Sequence, residues 1–162
     1  MAHQTLDQRR AAFAWQEVTK ASDQASDQKR RDPFVFKDFK NLSKGAPALI
    51  MGNGLMPALA FWESRKKPPA TFLSATIRSW LVVRYASDAA LKPLTPPMMS
   101  YPELMQRLLV APSSFYMAAT DETLSMLRWL RQFADALDSA SASASASSST
   151  STSAIASTAG DH

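Results

Sequence analysis

The stretch TDETLSMLRWLRQFADAL (120–137) decides the fold class. Leu124, Met126, Leu127, Leu130, Phe133, Ala134 and Leu137 recur at helical steps, the mark of a helix with one buried face. Asp121, Ser125, Arg128, Arg131, Gln132 and Asp135 fall within an arc of about 140°, taking 100° per residue. Thr120 is placed to cap this helix. Asp121 and Glu122 then fall in its first turn, where the helix dipole favours acids. Strand patterns are weak everywhere. The chain reads as all-α, one domain of about five to six helices.

Upstream, ALIMGNGLMPALAFW (48–62) carries no charge and no polar stripe, so it is expected to be buried on all sides. Pro47 opens it, after a short amphipathic piece (Phe34, Val35, Phe36, Phe39, Leu42) that ends near Gly45. Pro57 lacks the N–H that would bond Asn53, which predicts a kink or break at Gly52–Pro57. Leu6 to about Arg31 reads as a helix capped by Thr5 and stopped by Asp32-Pro33; Thr71 to about Ala86 reads as another. Four prolines between 93 and 102 mark a loop, and a short helix from about Tyr101 to Val110 follows it.

Downstream, residues 139–162 are a different material. Ser, Ala and Thr fill 20 of those 24 positions, and Ile155 is the one large apolar residue. Such a segment buries too little to offset its ordering entropy and is expected to be disordered, which leaves residues 1–138 as the helical domain. Only Asp161 of the 14 acids lies in that tail, so the body carries +5. That charge suits nucleic acid without requiring it.

Chemistry is scarce. With no cysteine, a disulfide scaffold, a Cys-ligated zinc site and thiol catalysis are excluded; the two histidines, His3 and His162, stand at the chain ends. No catalytic constellation forms, and no cofactor, metal or small-molecule substrate is expected. Gly52-Asn53-Gly54 lacks the rest of a phosphate loop, so close packing beside a kink is the better reading. Nor does any apolar run reach the ~20 residues of a membrane span. A soluble, cytoplasmic protein is expected.

Cations cluster at Arg9-Arg10, Lys29-Arg30-Arg31 and Arg65-Lys66-Lys67, while Lys37, Lys40 and Lys44 share a helical face. The second and third clusters close helices before proline, where cations favour the negative helix end. The lysine face leans toward a partner. Trp15, Trp62, Trp80 and Trp129 fit apolar helix faces better than a base-stacking role, although stacking stays open for any that are exposed.

LDQRRAAFAWQEV (6–18), APALIMGNGLMPALAFW (46–62) and SSFYMAATDETLSMLRWLRQFADAL (113–137) together resemble the small all-helical subunit of Cmr-type (type III-B) CRISPR RNA-targeting complexes. The resemblance covers 55 residues of the body. It implies a non-catalytic antiviral-defence subunit that stacks in several copies along a crRNA-bearing filament and helps hold target RNA. Its implied partners are the other Cmr-type subunits, copies of itself and the target RNA or its duplex with crRNA. Under that resemblance Arg9, Arg10, Lys40, Lys44, Arg65, Lys66 and Lys67 become candidates for RNA phosphates. The alternative is a helical protein–protein adaptor that does not contact RNA.

Overall fold

A computed structural model describes residues 3–27, 32–86 and 99–152, with side chains as far as 146. Among the described residues there are six helices and no strand. Helix α1 spans Leu6–Ser26. Thr5 Oγ1 accepts the Gln8 N–H, and the Gln8 side chain accepts the Thr5 N–H, so two orphan donors are satisfied at once. The helix stops at Asp27, short of the expected Arg31. Its last turn is rich in Ser and Asp, whose side chains compete for the backbone, as Ser26 Oγ does in donating to the Ser22 carbonyl. Lys29, Arg30 and Arg31 lie outside the described residues.

Helix α2 (Phe36–Asn53) runs straight through Gly45 and Pro47, where two pieces were expected. An interior proline costs roughly 3 kcal/mol. Burial of Phe39 before it and of Ala46 and Ile50 beside and after it holds the helix together. The break comes at one residue. Gly54, at φ 94 and ψ 163, ends α2 and begins α3 (Leu55–Arg65). Pro57 is the third residue of α3, where a missing N–H costs nothing.

Lys66, in the left-handed region at φ 52, turns the corner into α4 (Pro68–Arg84). This helix starts three residues before the expected Thr71, because Pro68 and Pro69 fill positions whose N–H groups have no helical partner anyway. Helix α5 (Tyr101–Val110) carries a Ser100–Glu103 capping box. Helix α6 spans Ser113–Thr152 and begins a full two turns before Thr120. Thr120 is therefore internal, its hydroxyl donating to the Tyr116 carbonyl at 2.9 Å. The first part of the Ser/Ala tail continues α6, with residues 139–146 exposed throughout.

The core is built from Trp62, Trp80, Phe39, Ile50, Leu59, Leu73, Ile77, Leu81 and Met126. Phe13 meets Trp80 and Glu17 meets Thr76, so α1 and α4 run antiparallel. Lys40 pairs with Asp138 and Lys44 with Asp135, so α2 and α6 also run antiparallel. Two ends result. One holds the Gly54 break, the start of α6 and the end of α4, where Tyr85 packs on Phe115 at 5.0 Å. The other holds the start of α2 and the α3–α4 corner. Among the described residues no helix is long and apolar enough to cross a membrane.

Candidate nucleic-acid interface

The structure sorts the seven candidate cations into tied and free. Arg10 is tied: its Nε and Nη2 each donate to Glu122 at 2.8 Å, and its side chain is only 18% exposed. Lys40 is paired with Asp138 across α2 and α6, and Lys44 Nζ lies 2.9 Å from Asp135 on the same seam. Two of the three lysines on this face of α2 thus meet α6, while Lys37 is exposed. Arg9 is exposed and makes no ion pair among the described residues. The Arg65 guanidinium sits 4.9 Å over the Phe61 ring, which leaves its donors free. Lys66 and Lys67 are exposed at the corner beside it. Arg65, Lys66 and Lys67 therefore form one cationic corner, while the other four candidates lie elsewhere.

Three carboxylates, Glu122 and Glu17 buried and Glu63 half-buried, anchor further polar contacts between helices, a role sequence patterning did not show. Glu122, read as a first-turn acid, is an interior residue of α6 and 5% exposed. It takes the bidentate Arg10 pair, the Trp80 indole N–H at 3.2 Å, and Arg84 at 3.5 Å. Burial pushes its pKa upward, but the hydrogen bonds and charge of Arg10, with Arg84 and Trp80, outweigh this and hold it below the usual carboxylate value. Glu122 in turn raises the pKa of Arg10. Glu17, also buried, accepts from Thr76 and pairs with Lys20. Glu63 accepts from Ser74 at 2.7 Å and pairs with Arg78, which donates to the Met99 carbonyl. A signal for Glu122 was present: Glu122, Met126, Trp129 and Phe133 follow four-, three- and four-residue steps along one face.

The tryptophans divide too. Trp62 and Trp80 are buried as expected. Trp129 is half-buried and donates to Asp7 at 3.1 Å. Trp15 departs from the core reading: it is 50% exposed. Gly54 fits the close-packing reading, since a Cβ there would meet Tyr116 Oη at 3.2 Å. Tyr116 Oη in turn accepts the Met56 N–H at 3.2 Å, and removing it in Tyr116→Phe is expected to cost about 1 kcal/mol in urea unfolding. No group of three or more His, Cys, Asp or Glu that could hold a metal occurs among the described residues.

Fold and surface together define a class: a helical bundle with several charges paired between its own helices and a cationic corner at Arg65–Lys67 left free. Residues 6–137 match the family described as "CRISPR-associated protein (Cas_Cmr5)", and the chain belongs to that family. It is similar to the X-ray crystal structure of a CRISPR-associated Cmr5 family protein from Thermus thermophilus, with a TM-score of 0.60 and 24% identity. The match covers 83% of this chain and 98% of that one, a likeness of fold. Family membership makes the chain a subunit of a Cmr-type CRISPR complex, as the three sequence segments implied.

Proposed function

We propose that the chain is a non-catalytic subunit of a type III-B effector complex, stacking with copies of itself along the crRNA-bearing filament and supporting bound target RNA. The observation that carries the RNA part is the free corner Arg65–Lys67, set against the internal pairing of Arg10, Lys40 and Lys44. Free cations neutralise phosphates by releasing condensed counterions; paired ones must first leave a carboxylate. Arg9 is a secondary candidate for the same role. Affinity capture of the full chain from its native lysate is expected to recover the other Cmr-type subunits together with guide RNA. A Lys66→Glu/Lys67→Glu variant is expected to recover the same proteins but retain less target RNA. Capture of the chain alone would defeat the proposal.

The distribution of apolar surface supports stacking. Met51, Met117, Leu109 and Val110 are strongly exposed around the Gly54 break and the α5–α6 junction. At the corner end, Val35, Leu42, Leu49, Phe61 and Trp62 line a groove between α2 and the α3–α4 corner. Two different apolar surfaces on one molecule favour head-to-tail contacts, which stay open instead of closing as a two-fold dimer. Val110→Glu and Phe61→Glu are each expected to abolish self-association in sedimentation velocity. Mixed in equal amounts they are expected to give dimers and nothing longer. A two-fold interface would not complement in this way.

A further inference from the structure

We propose that Trp15, Phe133 and Trp129 form an aromatic shelf on the α1–α6 seam that stacks an unpaired base of single-stranded RNA; this rests on the RNA-supporting role above. Three rings stand in a row. Trp15 meets Phe133 edge-on at 5.5 Å between centroids, and Phe133 stacks on Trp129 at 5.6 Å with 28° between planes. The far ring is pinned, because the Trp129 N–H is held by Asp7. The near ring is open: Trp15 is 50% exposed, and its neighbours along α1, Ala11, Ala12 and Thr19, are too small to cover it.

The size of the open surface selects the occupant. A stable protein contact needs about 800 Å² on each partner, and the open aromatic surface here is a single half-exposed indole. One aromatic ring of this kind suits one base, since every base presents a π-face. A cation is at hand for a flanking phosphate. Arg128 is exposed on α6, about 100° round the helix from Trp129, and makes no ion pair among the described residues. The nearest acid, Asp7, is offset by Arg10 at 3.7 Å and already accepts from Trp129.

Stacking and phosphate contact differ in salt response, and this separates them. Fluorescence anisotropy with a labelled uridine oligonucleotide would compare full-length wild type, Trp15→Ala, Trp15→Phe and Lys66→Glu/Lys67→Glu across a salt series. Trp15→Ala is expected to weaken binding by about fivefold or more with the salt slope unchanged, and Trp15→Phe to retain most of the affinity. The double lysine variant is expected to flatten the slope. Wild-type binding with Trp15→Ala unaltered would overturn the shelf alone. Absence of wild-type binding at low salt would overturn the RNA-supporting role and the shelf with it. Trp15→Ala that loses a protein partner on capture, with RNA affinity intact, would make the seam a protein contact and also overturn the shelf.

Discussion

Glu122→Ala is expected to destabilise the chain by about 3–5 kcal/mol, the cost of breaking a buried pair by removing one partner. The carboxylate is the point where three helices meet: Arg10 from α1, Trp80 and Arg84 from α4, and its own α6. Its removal strands Arg10, which is 18% exposed, and leaves the Trp80 N–H unmatched in the core. Urea unfolding followed by circular dichroism measures the loss. Arg10→Ala alone is expected to cost less, because Arg84 and Trp80 still attend the carboxylate, and the double variant should be well short of additive. Acid adds a second readout. The folded protein holds the Glu122 pKa below its unfolded value, so its contribution is complete above the ordinary carboxylate range and fades as pH falls through the lowered folded value. Glu122→Gln is expected to flatten the acid limb of the stability profile. An unchanged limb would show that other carboxylates set it.

Gly54→Ala is expected to cost about 2–3 kcal/mol, although it adds only a methyl group. Backbone at φ 94 and ψ 163 is territory that glycine alone occupies comfortably. The new Cβ would also stand 3.2 Å from Tyr116 Oη and 3.6 Å from Pro57 Cδ. Tyr116 therefore has to shift or release the Met56 N–H. Repeating Gly54→Ala in a Tyr116→Phe background separates the two causes: a cost that persists is backbone strain, and one that falls is the collision. Gly52, with open space where its Cβ would lie, should accept alanine at no cost or a small gain.

These positions also show what was legible in the sequence. The helical class was clear from periodicity at 120–137, and the break at 52–57 from its glycines and proline, because both are local properties. Continuity through Pro47 was hidden. It depends on Phe39, Ala46 and Ile50 packing against other helices, a tertiary gain no local rule counts. Helix starts erred for one reason at Pro68 and Ser113: first-turn N–H groups need no partner, so proline and polar residues there permit earlier starts than the apolar pattern suggests. At the surface, residue type identified the cations but not their partners. Arg10 and Lys40 resemble Lys66 and Lys67 in sequence, and only the approach of α6 sets them apart. Trp15 shared the apolar phase of α1 yet emerged half-exposed, because α6 covers just one edge of it.

The pairings along α6 also set an order of events during synthesis. Arg10 and Glu122 are 112 positions apart, Lys40 and Asp138 are 98, and Asp7 and Trp129 are 122. A helical protein closed by such distant contacts gives up the speed that local contacts confer. As the nascent chain leaves the ribosome, α1 and α2 emerge with their charges unmatched and one apolar flank bare. They wait for the last helix before the body can close, so a chain halted before Glu122 holds the pieces of the bundle without its clasp.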